Sequence, residues 1–238
     1  DWLTLRFIEN GWSLKSLHRE ILLSSTYQQS SDPDAATVQQ DPENRLWSRF
    51  PVGRLEAEEV RDALLAVSGQ LDREVGGPVL TVKNRGYLFD HTSKDMTSYD
   101  TVRRSLYLPV IRNNVYDVFQ LLDYPDAAVS SGDRATTTVA PQALPMFNSD
   151  LVMTAISRLA ERVMQEIPDD DTLRVSRLFQ LAYGRDPSPD ETSEQLTCLQ
   201  AFEQAFAETV PDAAERRHAA WSALCQVILA ANEFVYVN

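Results

Sequence analysis

The sequence is short of cysteine, and neither Cys198 nor Cys225 belongs to a C-x-x-C pair. This excludes a structural zinc site of the usual spacing and a redox motif of the thioredoxin kind. No C-x-x-C-H occurs either, so we expect no covalently attached haem in this domain. Cys225 lies on an apolar helical face and is predicted to be a buried small hydrophobe. A disulfide between the two cysteines is the alternative.

Long hydrophobic runs and an excess of basic charge are also missing. No apolar stretch approaches the roughly 20 residues that a membrane-spanning helix needs. The 238 residues include 22 Lys and Arg against 35 Asp and Glu, which gives a formal net charge of −13. Basic patches supply most of the affinity for nucleic acids and anionic lipids. We therefore predict no nucleic-acid partner and no membrane insertion.

Familiar catalytic motifs are absent as well. His18, His91 and His218 lie far apart and form no H-E-x-x-H motif. There is no G-x-S-x-G, no P-loop and no G-x-G-x-x-G. The sequence therefore predicts no metal site and no cofactor in this domain, and it identifies no catalytic residue.

The chain does contain a series of amphipathic segments, which predict a mainly α protein. We expect an irregular multi-helix bundle, folded as a single domain over 1–238. Its first part, 1–78, is predicted to hold a helical hairpin (1–10 and 13–28), a polar loop (29–41) and a long helix (55–71). An amphipathic helix begins at residue 1 with no cap before it, so we interpret the chain as a fragment of a longer protein.

Local signals set several of these boundaries. Gly11 suits the left-handed residue that ends the first helix, and Ser13 can cap the second. Asp41 and Pro42 resemble a cap followed by a first helical residue.

Residues 79–112 change in character and predict a small β or extended insert. Short β-prone runs are separated there by Gly, Asn and Ser turns. In the last run five residues alternate and should share one face of a strand: Val102, Arg104, Leu106, Leu108 and Val110.

The remainder, 113–238, is predicted to form a helical bundle. Expected helices are a short one before Pro125 and longer ones at 149–167, 171–184, 188–208 and 212–232. Ser188, Pro189 and Glu191 form the most specific signal, because they match a cap, a first helical residue and a capping box.

The stretch from Thr136 to Ser149 admits two interpretations. Its prolines and hydroxyl residues are typical of a joint between two packed helices, in which Asn148 or Ser149 caps the second helix. The alternative is a surface for a partner, for which the candidate residues are Thr136, Thr137, Gln142 and Asn148.

A second feature is a carboxylate on an apolar stripe. At 100° per residue, Glu56 falls on the same side of the predicted helix as Val60 and Leu64, while Glu59 and Arg61 flank that side. We therefore expect Glu56 to be mostly buried and to contact an arginine from beyond its own helix. A buried carboxylate must find a cation or take up a proton. The candidate polar cluster is Glu56, Glu59, Arg45, Arg104, Arg112 and Arg134. It could be a structural ion pair, a pocket for an anionic or sugar-like ligand, or a paired acid/base site.

Six segments of the chain, in this order, resemble one known family: "GWSLKSLHREILLSSTYQQSS", "DPENRLWSRFPVGRLEAEEVRDALLAVSGQLD", "RRSLYLPVIRN", "TTTVAPQALPMFNSDLV", "LAYGRDPSPDE" and "WSALCQVILAANEFVYV". It is the planctomycete-specific domain of unknown function at the C-terminus of large exported proteins, many of which begin with a planctomycete-type cytochrome c domain. The resemblance implies an extracytoplasmic location, periplasmic or at the cell surface, and haem elsewhere in the parent protein. Some parents carry sugar-binding modules, which points to carbohydrate as a partner. The family supplies no catalytic residues.

Two functions follow as hypotheses. One is a non-catalytic scaffold or docking domain whose partners are other domains of the same polypeptide. The other is a carbohydrate-active enzyme domain with Glu56 or Glu59 as acid/base in an arginine-rich pocket. An open pocket that holds Glu56 and another carboxylate would favour the enzyme, and a sealed arginine pair would favour the scaffold.

Overall fold

The computed structural model describes residues 1–32, 35–77, 79, 101–110, 118–119, 122, 124–125 and 149–237. Within these residues lie nine α-helices, one 3₁₀ turn and a two-stranded ladder. This confirms the prediction of a mainly α fold. The chain groups into two compact units, Asp1–Arg54 with Tyr236–Asn238, and Leu55–Val235. The expectation of a single domain over 1–238 stays a prediction.

The first unit contains the predicted hairpin. Its elements are α1 (Trp2–Glu9), α2 (Leu14–Leu22), α3 (Ala35–Gln40) and β1 (Gly53–Arg54), which pairs antiparallel with β2 (Tyr236–Val237). Gly11 has the left-handed φ of 67° that the turn requires. The Ser13 hydroxyl accepts a hydrogen bond from the Ser16 N–H at 3.3 Å and so caps α2.

Three boundary predictions in this unit are wrong. Helix α2 ends at Leu22 and not at residue 28. The segment 29–41 is not all loop, because α3 lies within it. Asp41 starts no helix. Its carboxylate instead accepts the N–H groups of Leu46 and Arg45, each at 2.8 Å, and so closes a non-helical turn. These bonds, the Leu46 N–H first among them, lower the pKa of Asp41.

The second unit is a helical bundle. Its elements are α4 (Ala57–Val67), a 3₁₀ turn (Ser105–Tyr107), α5 (Asp150–Glu166), α6 (Asp171–Tyr183), α7 (Pro189–Ala205), α8 (Ala213–Ala230) and α9 (Asn232–Val235). Helix α8 packs against α5, α6 and α7, and α4 packs against α5. The core surrounds Trp221, Leu224 and Leu159, none of which is exposed.

Most of the helix boundaries predicted for this bundle are confirmed. Ser149 caps α5 and Asp170 caps α6, which ends at the left-handed Gly184. Ser188 and Glu191 form the predicted capping box, with Pro189 as the first helical residue. The last two helices end earlier than predicted, at Ala205 and Ala230, and the separate helix α9 follows the second of them.

The described part of the insert contains an isolated β-bridge and a 3₁₀ turn, so the predicted alternation along one strand is wrong. Among 101–110, Arg103 forms an isolated bridge with Asp72. The 3₁₀ turn then breaks the two-residue period, because its side chains repeat every three residues. Leu108 is consequently buried, whereas Leu106 is 74% exposed. The other predicted strand segments, over 80–100 and 111–112, lie outside the described residues.

The cysteines do not form a disulfide. Both are free thiols, and Cys225 is fully buried as predicted. No helix in the described part of the chain combines the length and apolar character needed to cross a membrane.

Candidate functional site

Helix α4 begins one residue after Glu56, which is its N-cap. The Glu59 carboxylate reaches back and accepts the Glu56 N–H at 2.9 Å. Glu58 lies beside it in the same first turn. Three glutamates therefore surround the positive end of the helix dipole, where negative charge is stabilised.

A groove of about 400 Å³ opens beside this helix start. We call it the α4 groove. Its acidic residues are Glu56, Glu58, Glu59 and Asp62, and its other lining residues are Ser105, Leu106, Leu108, Pro109, Val110, Phe119 and Tyr124. The Phe119 and Tyr124 rings are stacked, with centroids 5.1 Å apart and planes 12° apart. The groove therefore combines carboxylates with an apolar and aromatic wall.

A buried arginine holds that wall in place. Arg61 is fully buried in α4. Its guanidinium donates to the Arg103 carbonyl at 2.9 Å, to the Ser105 hydroxyl at 3.2 Å and to the Thr101 carbonyl. These bonds join residues about forty positions apart in the sequence, so they fix the insert against α4.

Asp62, the next residue in α4, also binds Ser105. We call the contacts that Arg61 and Asp62 make with the insert the clasp. Both of its carboxylate oxygens accept the Ser105 N–H, at 2.8 and 3.0 Å, and one also accepts the Ser105 hydroxyl at 2.6 Å. Arg61 lies 3.3 Å from the same carboxylate. The ion pair and its hydrogen bonds set where the 3₁₀ turn begins, and the turn places Leu106 and Leu108 along the groove.

The far side of the insert is held by Arg103. Its guanidinium donates to the Gly77 carbonyl at 3.1 Å and to the Gly76 carbonyl. It also stacks over the Tyr107 ring at 4.4 Å, and the Tyr107 hydroxyl accepts the Gly76 N–H at 3.1 Å. Gly76 and Gly77 both have positive φ, which glycine adopts without strain.

The prediction that Glu56 is mostly buried is wrong. Glu56 is exposed, because the helix starts after it and not at residue 55. The helix also ends earlier than predicted, at Val67 and not at residue 71. Glu59 and Arg104 are exposed too. Arg45 is exposed in the first unit. The buried charge of α4 is Arg61, which sequence reasoning had placed only at the flank of the apolar stripe.

The other candidate residues lie outside the described part of the chain. These are Arg112 and Arg134 of the polar cluster and Thr136, Thr137, Gln142 and Asn148 of the partner surface. Sequence reasoning missed Arg61, Asp62 and Ser105. Arg61 next to Asp62 on a core-facing turn was the one available signal, since such a pair needs further partners when it is buried.

A second pocket, of about 450 Å³, lies at the start of α6 and is a structural ion network. Arg174, one of its lining residues, donates to the Ile167 carbonyl and to Asp171, each at 2.6 Å. Burial opposes the ionisation of Asp171, but hydrogen bonds from Arg217 and Arg174 outweigh it and lower its pKa. The guanidinium groups of Arg174 and Arg217 therefore donate hydrogen bonds to acceptors of the protein itself.

The first unit presents a different kind of surface. Among its described residues, the only buried side chain is that of Asp41. The hairpin α1–α2 instead leaves large apolar side chains exposed. We call these residues the hairpin surface: Trp2, Leu3, Leu5, Ile8, Trp12, Leu14, Ile21, Leu22 and Leu23. So many exposed apolar side chains on one short hairpin make it a candidate interaction site.

Comparison with known proteins places the chain in a family. A family model described as "Protein of unknown function (DUF1553)", PSD1, matches residues 1–199. The chain therefore belongs to the PSD1 family of proteins of unknown function. No curated protein and no solved structure matches it.

The groove meets the test set for an enzyme, because it is open and contains Glu56 with other carboxylates. It differs from the expected arginine-rich pocket in one respect, because none of the described lining residues is an arginine.

Proposed function

We propose that this chain is a non-catalytic docking domain of a multidomain, exported planctomycete-type protein. In this proposal cytochrome c domains lie elsewhere in the parent polypeptide, and other domains of that polypeptide are the partners. The observation that carries the docking role is the hairpin surface. Trp2 and Trp12 at its two ends are 65% and 67% exposed.

The backbone geometry of Trp12 supports a role for its side chain in binding a partner domain. Its φ is 61°, in the left-handed region that non-glycine residues rarely occupy. Such a conformation costs about 1–3 kcal/mol and is often found where function requires it. The Trp12 ring packs edge-on against Phe7, with centroids 5.3 Å apart, yet most of it faces solvent. The turn therefore orients a large indole outward.

The charge of the hairpin is balanced, although the chain as a whole has a net charge of −13. Residues 1–24 contain three acidic and three basic side chains: Asp1, Glu9, Glu20, Arg6, Lys15 and Arg19. Arg6 bridges Glu9 at 3.2 Å and Glu20 at 3.1 Å, so part of this charge is already paired. A formally neutral apolar surface can bind a partner by burial, at about 1.5–3 kcal/mol for each large side chain fully buried.

Hydroxyl-radical footprinting tests this function directly. Oxidation of Trp2 and Trp12 should be several-fold slower in the intact parent protein than in the isolated chain. Met153, which is 46% exposed on α5, is the matched internal control and should oxidise at the same rate in both. Equal oxidation of both tryptophans in the two samples would contradict docking through the hairpin.

A carbohydrate-active domain is the second candidate, and the α4 groove supports it. Its stacked aromatic rings and neighbouring carboxylates are side chains that can contact a sugar. A glycan-binding and hydrolysis screen of the chain tests it, with Glu56→Gln and Glu59→Gln as variants. Hydrolysis that both substitutions abolish would favour this candidate, and its absence with every glycan would count against it.

A further inference from the structure

The turn that joins α1 to α2 contains the pair Asn10 and Gly11. Asn10 is the one asparagine of the sequence that precedes a glycine. In such a pair the backbone nitrogen of the second residue can attack the side-chain carbonyl carbon of the first, and glycine hinders the attack least because it has no Cβ. Gly11 is exposed, and apart from its chain neighbours no described atom lies within 4 Å of the position that a Cβ would take. Neighbouring side chains therefore leave this nitrogen accessible.

The Asn10 side chain is also part of the contact between the two helices. Its amide nitrogen donates to Glu20 Oε1 at 3.0 Å, and Arg6 donates to the same oxygen at 3.1 Å. The other carboxylate oxygen, Oε2, is buried and accepts no hydrogen bond from the described residues. Arg6 lies in α1 and Glu20 in α2. These bonds therefore hold the two helices together beside the turn.

We propose that Asn10 is a site of spontaneous deamidation and that the folded turn slows the reaction. The Gly11 nitrogen loses its proton and bonds to Cγ of Asn10, and the bond from Cγ to the side-chain nitrogen breaks to release ammonia. Water then opens the cyclic imide at either of its two carbonyls and leaves aspartate or isoaspartate. The reaction needs water alone as co-reactant, and it does not depend on docking through the hairpin surface.

The backbone of the turn opposes ring closure. The ring requires the Gly11 nitrogen and the Asn10 Cβ to be eclipsed about the Cα–C bond, whereas Asn10 has a near-helical φ of −81° and ψ of 17°. The Gly11 N–H also donates to the Ile8 carbonyl at 3.0 Å. Deamidation therefore requires the turn to open locally and the bond from Asn10 to Glu20 to break.

Conversion of Asn10 removes the contact that slows it. An ionised aspartate cannot donate to Glu20 as the amide does, and it places a second carboxylate beside one whose Oε2 has no described partner. Two carboxylates that share a site repel each other. Isoaspartate also adds a methylene group to the backbone of the turn. The hairpin should therefore open more readily after conversion.

The test incubates the full 238-residue chain at mildly alkaline pH and follows each asparagine by peptide mapping with mass spectrometry. Asn10 should convert at least about tenfold more slowly in the folded chain than in the chain unfolded in urea, because only the opened turn reacts. Asn44 is the internal control. It precedes an arginine, and its amide donates to the Arg49 carbonyl at 2.8 Å, so it should stay unmodified in the folded chain.

Two substitutions test the contact with Glu20. Glu20→Ala removes the acceptor of the Asn10 amide and should speed conversion severalfold. Glu9→Ala is the matched control, because it removes a carboxylate that also binds Arg6, at 3.2 Å, but holds no hydrogen bond to the Asn10 amide. It should convert like the wild type.

A third substitution imitates the product. Asn10→Asp should speed hydrogen exchange severalfold at the amides of α1 and α2, because exchange there reports local opening of the hairpin. The amides of α8, which lies in the second unit, should exchange as in the wild type.

Three results would overturn the proposed site: no conversion on prolonged incubation, equal rates in the folded and unfolded chain, or equal rates in Glu20→Ala and the wild type. Unchanged hydrogen exchange in Asn10→Asp would overturn the effect on the hairpin. Footprinting of Trp2 and Trp12 reports on docking separately, because deamidation is measured in the isolated chain.

Discussion

Replacing Arg61 by alanine tests the main structural conclusion about α4. Arg61 is fully buried and donates to two backbone carbonyls, of Thr101 and Arg103, to the Ser105 hydroxyl and to Asp62. Arg61→Ala leaves a partly buried carboxylate and two carbonyls without these donors. Removing one partner of a buried pair costs about 3–5 kcal/mol.

The two carbonyls that lose their donor give a second estimate of the same cost. A buried acceptor left without a donor costs about 1–3 kcal/mol. Thr101 and Arg103 are half-buried, so water can reach their carbonyls in part and the lower half of that range applies. Two such carbonyls together cost about 2–4 kcal/mol, which overlaps the range of about 3–5 kcal/mol for the pair. At about 2–4 °C per kcal/mol for a domain of this size, a loss of about 3–5 kcal/mol lowers Tm by about 6–20 °C.

Two comparison variants, measured by urea and thermal unfolding, serve as controls for this test. Arg158→Ala removes an arginine that is 58% exposed and pairs with Glu161 at 2.9 Å. Exposed pairs contribute about 0–1 kcal/mol. Glu56→Gln changes an exposed carboxylate and should also stay within about 1 kcal/mol of wild type. If Arg61→Ala unfolds together with these two variants, the clasp does not hold the insert, and the reasoning is refuted.

Three further predictions concern the second unit. Hydrogen bonds from Arg185 lower the pKa of Glu191 from 4.5 to about 2. The stability from this pair is therefore complete above pH 4.5 and lost as pH falls towards 2, and Arg185→Ala should flatten that part of a urea-midpoint profile. Ser188→Ala removes the cap of α7 and should lower the free energy of unfolding by about 1 kcal/mol in urea titrations; an unchanged midpoint would contradict the cap assignment. Burial raises the pKa of the Cys225 thiol, so a thiol reagent should titrate at most Cys198 in the native protein and both cysteines after unfolding.

The sequence by itself determined the helices whose ends are set by neighbouring residues. Ser13, Ser149 and Ser188 cap helices as predicted, and Gly184 ends one with a left-handed φ. A cap needs only a side chain and N–H groups two or three residues away, so a short sequence window contains the whole interaction. The helical spacing of apolar residues likewise predicted α5, whose buried face includes Ile156.

Only the tertiary structure decided which charge of α4 is buried. Periodicity placed Glu56 on the apolar stripe because it assumed a helix already formed at residue 55, whereas the helix begins at Ala57. It placed Arg61 at the flank, yet Arg61 is buried because the insert crosses that flank. The partners that make this burial favourable, Thr101, Arg103 and Ser105, are 40 to 44 positions away. No local pattern contains them, so the position of a long-range segment decides whether a flanking arginine faces solvent or holds the wall of a groove.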